Sequence, residues 1–316
     1  MRLSVLDQSP IPQGSSRGDA LRNTIELAQL ADRMGYHRYW LAEHHGTPGL
    51  ACNSPEVMLG PVAASTHKIR VGTGGIMLPH YSAFKVGETF AMLAGLYPGR
   101  IDLGLGRAPG SSQNVARMLQ RDRRQPPLDD FREQLTELLG YFPQPDAGPE
   151  MWLLGSSPQS AVWAGELGLP YCFADFIQPW HPEIARFYRE QFRPSTRGFL
   201  PQTSIAVWAL CAETDELAFE LSMSFRMMMT MLFRGRPIPV PTIDQAHEFF
   251  AQEGVPPDTL PAGRRILTGT PDKVYTSIQR VAKEYEAEEV LVVNIVHDHA
   301  ARMRSYELLA LQAGSR

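Results

Sequence analysis

Five short stretches of this 316-residue chain carry residues whose types and spacing suit chemistry. In Gly155-Ser156-Ser157-Pro158-Gln159-Ser160 a glycine turn leads into hydroxyls at the start of a helix. Unpaired backbone N–H groups and the helix dipole there favour an anion such as a phosphate. Arg107 follows Gly104-Leu-Gly106, and a guanidinium in such a loop suits a bidentate contact to the same phosphate. The plainer reading of these residues is a serine helix cap and a solvated arginine. Gly74-Gly75 removes two Cβ atoms where the chain leaves a strand, which permits a bulge, a positive φ or a cis peptide beneath a flat ligand, or simply a tight corner. His44, in Ala42-Glu43-His44-His45, sits at another strand end, where an imidazole serves as acid, base or hydrogen-bond donor near neutral pH. His45 faces the opposite way in an extended segment. His297-Asp298-His299 lacks the spacing of a metal motif even with Glu43 added, so no metal is expected.

The elements that must position these residues alternate along the chain. Apolar strand-like runs at Leu3–Leu6, Arg38–Ala42, Ile69–Met77, Ile101–Leu105, Trp152–Leu154, Tyr171–Ala174, Ile205–Cys211 and Val290–Val296 are separated by stretches of helical periodicity. Eight strands in one series, without a dividing linker, predict an α/β fold, a (β/α)8 TIM barrel forming a single domain over residues 1–316. An open doubly wound sheet is the competitor, but residues 7–18 are rich in proline and lack the Gly-x-Gly-x-x-Gly turn. The pattern lapses between 233 and 267, a proline-rich stretch with one weak helix at Asp244–Gln252, read as an insertion or lid. In this fold active sites form at the carboxyl ends of strands, where the five stretches lie.

Composition closes off other classes. Thirty basic residues against 34 acidic ones give a net charge of −4, with no basic block to follow a nucleic acid or an anionic membrane. No apolar run approaches a membrane span and charge appears early at the start, so a cytoplasmic protein is expected. Cys52, Cys172 and Cys211 fit buried apolar positions, and Met227, Met228, Met229 and Met231 fit a core better than a redox cluster. No Gly-x-Ser-x-Gly elbow or paired strand-end carboxylates suggest a hydrolase.

In this order and spacing, Tyr39-Trp-Leu-Ala-Glu-His-His45, Val71-Gly-Thr-Gly-Gly-Ile-Met-Leu-Pro79, Tyr97-Pro-Gly-Arg-Ile-Asp-Leu-Gly-Leu-Gly-Arg-Ala-Pro-Gly110, Trp152-Leu-Leu-Gly-Ser-Ser157 and Gly269-Thr-Pro271 resemble the bacterial luciferase-like flavin monooxygenases, over nearly the whole chain. The resemblance implies a barrel that binds reduced FMN, reacts it with O2 to a C4a-hydroperoxide, and oxygenates a small organic substrate such as an aldehyde. A separate flavin reductase would supply the reduced FMN. Carried over by position, Arg107, Ser157 and Ser160 would hold the FMN phosphate, with Gly155 and Ser156 beside them. Gly74-Gly75 would be a non-prolyl cis peptide under the isoalloxazine ring, and His44 the catalytic histidine. Gly106 stands where luciferases carry a cysteine and Ser156 where they carry a glutamate, and the 233–267 stretch departs from their mobile loop in its prolines, so light emission is not expected. Two alternatives remain: an F420-dependent hydride-transfer enzyme, for which Arg121, Arg123 and Arg124 are the basic groups available, and a non-catalytic flavin-binding protein. The apolar helices Pro55–Ser65 and Ala83–Leu96 suggest a homodimer, as in luciferase-like proteins.

Overall fold

Side chains alternate faces along a strand, so a barrel strand reads as one row packed inward and one packed under the surrounding helices. The computed structural model, which describes residues 1–108, 113–120, 123–124, 129–144 and 148–314, shows both rows. Its strands are β1 (Arg2–Asp7), β2 (Arg38–Leu41), β3 (Arg70–Met77), β4 (Ile101–Gly106), β5 (Glu150–Gly155), β6 (Tyr171–Ala174), β7 (Thr203–Cys211), β8 (Ile266–Gly269) and β9 (Glu289–Val293). Strands β1 to β7 pair consecutively and in parallel, and β9 closes the ring by pairing with both β7 and β1. The result is the expected closed eight-stranded (β/α)8 barrel, with β8 as an addition.

Between the strands run α1 (Arg17–Arg33), α2 (Pro55–Ala64), α3 (Ala83–Leu96), α4 (Gln113–Leu119), α5 (Phe131–Tyr141), α6 (Pro158–Glu166), α7 (Pro182–Gln191), α8 (Asp215–Phe233), α9 (Ile243–Glu253), α10 (Pro271–Glu284) and α11 (His299–Gly314). Local chemistry sets several of their starts. Ser16 and Asp19 form a reciprocal capping box on α1, Thr242 and Gln245 another on α9, and Ser157 caps α6 with Pro158 at its first position. On the predicted dimer helices, Leu59, Val62, Phe90 and Leu93 are buried against the barrel, while Val57, Phe84 and Met92 are exposed. The three cysteines are buried and unpaired.

The inward row is organised by depth. At the amino-terminal end Arg38 is buried, donating from Nε to both oxygens of Glu289 at 3.1 Å, from Nη1 to Asp102 at 2.9 Å and from Nη2 to Glu150 at 3.0 Å. Burial opposes its charge, but Asp102, Glu289 and Glu150 outweigh that penalty and hold its pKa above the ordinary arginine value. The next layer is aromatic: Trp40 and Trp152 meet edge to face at 5.4 Å, with Leu6, Cys172, Ala206 and Leu291 around them. A Cβ on Gly72 would come within 2.9 Å of the Trp40 indole nitrogen, so glycine on β3 is what admits the tryptophan.

The stretch 233–267 differs from the sequence expectation at its end. Ile266–Gly269 is a strand, paired with Trp208–Cys211 on the outer half of β7. Four residues directly after a proline-rich segment give too short a pattern to read. The segment before it caps the barrel as the lid reading anticipates: Val240 donates to the Ile11 carbonyl and accepts from Gln13 N–H, each at 2.8 Å. Val240 packs with Leu50, Phe225, Met228 and Met229 on the interior cluster that contains Trp40 and Trp208. Met228 and Met229 are core, and Met227 packs partly buried against Met223, Ala246 and Phe250.

Candidate active site

The outward row of β2, Tyr39 and Leu41, lies in the outer core, and the inward row, Trp40 and Ala42, in the barrel interior. Continued past the strand, this alternation puts His44 inward over the barrel and Glu43 and His45 outward. The main chain of His44 is pinned: its N–H donates to the Cys52 carbonyl at 3.0 Å and its carbonyl accepts from Asn53 Nδ2 at 2.6 Å. Its ring is not. Nδ1 is buried without a hydrogen-bond partner. Burial, and after it the neighbouring His45, lower its pKa to about 4, so the imidazole is neutral at pH 7.

Glu43 is fully buried and braces the outward side. It meets His45 Nε2 at 2.7 Å, accepts from Met77 N–H at 2.9 Å, and hydrogen-bonds the Tyr81 hydroxyl. The end of β2 is thereby fastened to the end of β3.

On β3 the Gly74-Gly75 peptide is cis, where the register with β4 shifts. A Cβ on Gly74 would fall 2.5 Å from Leu6 Cδ1, and one on Gly75 would fall 2.7 Å from the Gly104 carbonyl oxygen. Packing alone therefore requires glycine at 75, where the clash is with main chain, whereas at 74 the nearest atom is the tip of the Leu6 side chain.

The tops of β4 and β5 are in register through Gly106 and Leu154, which puts Arg107 beside Gly155. Arg107 is exposed and its guanidinium lies 5.5 Å from the ring centre of Trp163 on α6. Ser157 caps α6, and Ser156 precedes it half-buried. Ser160 is turned inward: its hydroxyl donates to the Ser157 carbonyl at 2.8 Å and meets the Tyr171 hydroxyl at 3.0 Å. Gly155 leaves room for it, since a Cβ there would sit 2.2 Å from Ser160 Oγ. Arg107, Gly155, Ser156 and Ser157 thus share one stretch of the rim, with Gly74-Gly75 and His44 on the next two strands, and the Ser160 hydroxyl is engaged by Ser157 and Tyr171.

Of the basic groups considered for F420, Arg123 donates to the Met118 carbonyl at 2.6 Å, and Arg121 lies outside the described residues, as do Gly110 and Ser111. His297 bonds the Gln13 carbonyl and His299 pairs with Glu26, and the described residues contain no metal-type cluster. No helix among them is long and apolar enough to cross a membrane.

The model of the luciferase-like monooxygenase family matches residues 1–287. The chain belongs to that family. The chain is 36% identical to the N-acetyl-S-alkylcysteine monooxygenase of Bacillus subtilis, over 98% of its own length and 97% of the relative's. It superposes on the crystal structure of apo-MsnO8 with a TM-score of 0.89 at 37% identity, covering 99% of this chain and 98% of that one. The FMN complex of a type II Baeyer-Villiger monooxygenase, the oxygenating constituent of the 3,6-diketocamphane enzyme of Pseudomonas putida, has a TM-score of 0.75 at 19% identity, covering 98% of this chain and 96% of that one, and shows the shared fold alone.

Proposed function

We propose that this protein is an FMN-dependent monooxygenase that works at the carboxyl-terminal mouth of its barrel. The observation that carries the reading is the rim of β4 and β5, where an exposed arginine stands beside the capped N-terminus of α6, a donor set suited to a phosphate dianion. Ser156 and Ser157 would bind the phosphate with Arg107, and Ser160 would support them by fixing the turn. The flat ring would then extend over Gly74-Gly75 toward His44. When bound, reduced flavin supplies the two electrons with which O2 delivers one oxygen atom to the substrate and the other to water. His44, neutral and unpartnered at Nδ1, is the group that would hold or pass a proton at the reacting centre. The segment around Val240 would keep water out.

The relative named for N-acetyl-S-alkylcysteines makes those thioethers the first substrates to try, with aldehydes second. The Pseudomonas putida neighbour is the oxygenating constituent of its enzyme, which supports a separate reductase as the source of reduced FMN here. The test is turnover with reduced FMN, ¹⁸O-labelled O2 and an N-acetyl-S-alkylcysteine. Label in the product, lost in His44→Ala, is expected. Tight flavin binding with no labelled product from either substrate class would leave a binding protein, and preference for F420 over FMN in parallel titrations would favour hydride transfer.

A further inference from the structure

Gln8 is the first residue beyond β1 and only 5% exposed, yet its Nε2 is buried without a hydrogen-bond partner. A buried amide donor left unpaired is destabilising to the folded chain. The outward row beside it is fully engaged: Asp7 is held by Ser9 N–H, Tyr39 and Arg302, and Ser9 Oγ accepts from Thr24. The deficit therefore falls on the inward row. Leu6 lies in the barrel interior with Trp40, and the two-residue pleat continues that row to Gln8 as it continues Trp40 and Ala42 to His44. The main chains are stitched together at this point, Ala42 to Asp7 at 3.0 Å and Ala51 to Ser9 at 2.8 Å. Adjacent strand ends thus each present an unsatisfied polar group to the same mouth.

We infer that Gln8 is a ligand-binding residue whose carboxamide, on the strand end adjoining the one that leads to His44, receives a neutral –CO–NH– edge, donating to its carbonyl and accepting from its N–H. Neither side chain offers a counterion, and the nearby Asp7 carboxylate is matched by Arg302, so an uncharged group is the one that fits. Resting on the function proposed above, two molecules bring such an edge: the flavin, through its pyrimidine ring, and an amide-bearing substrate.

The test measures binding, without turnover. Reduced FMN is titrated anaerobically into wild type, Gln8→Leu and Gln8→Met by fluorescence, and an N-acetyl-S-alkylcysteine is titrated by calorimetry into the FMN-loaded proteins. Both variants should fold with a ligand-free Tm at or above that of wild type, because the Nε2 donor they remove has no partner among the described residues. Affinity should fall about tenfold for one ligand, and which one falls identifies the source of the edge. Unchanged affinity for both ligands overturns the inference, as does failure of both variants to fold. If wild type itself binds no flavin, the underlying functional reading fails instead.

Discussion

Glu43 Oε2 accepts the backbone N–H of Met77 at 2.9 Å, joining the strand end that carries His44 to the strand end that carries Gly74 and Gly75. The same carboxylate holds His45 through its other oxygen at 2.7 Å. Glu43→Ala strands a backbone donor and an imidazole, and should lower stability by about 1–3 kcal/mol. Glu43→Gln keeps an acceptor for Met77 and should lose less. Urea unfolding of the two variants checks the order, and equal midpoints with wild type would contradict it.

The low pKa of His44 has a signed consequence. Burial first, then His45, hold it at about 4, against 6.5 for the unperturbed group. Between those values the unfolded chain binds a proton that the folded protein refuses, so stability declines as pH falls through that window and this residue contributes no slope above it. His44→Asn should remove a loss on the order of 3 kcal/mol accumulated by pH 4. Chemical denaturation of both proteins between pH 7 and 4.5 measures the difference, and parallel profiles would refute it.

Arg38 sits at the far end of the barrel from the rim. Arg38→Met withdraws the shared cation of Glu289, Asp102 and Glu150, leaving buried carboxylates undercompensated at a cost of about 3–5 kcal/mol. Thermal unfolding should show the loss, while flavin affinity of the protein still folded at low temperature stays unchanged. Intact stability would mean the network is not a structural element.

Exposed Val57, Phe84 and Met92 on α2 and α3, at 67, 54 and 69%, form the face proposed for a two-fold dimer. Val57→Glu with Met92→Glu should convert a dimer to a monomer in sedimentation velocity at micromolar concentration. A wild-type monomer removes the proposal.

The barrel was legible because all eight of its strands read as apolar runs, most of them separated by helix-length spacers. Three features were not. Asp102 and Glu289 look like misplaced charges in strands, and their partner Arg38 lies 64 and 251 residues away. Ser160 belongs by position to the serine turn, but the Tyr171 hydroxyl that engages it comes from the next strand. Gln8 sits in a proline-rich stretch with no motif; only its unpaired amide marks it.

The central claim is that Arg107 and the start of α6 grip a phosphate at the rim. Reduced FMN and reduced riboflavin, which lacks that phosphate, are titrated anaerobically into wild type and Arg107→Ala. Wild type should prefer FMN, and the variant should lose about 10- to 100-fold in FMN affinity with riboflavin affinity and Tm unchanged, since Arg107 is exposed. An equal loss for both flavins, or none for either, would contradict it.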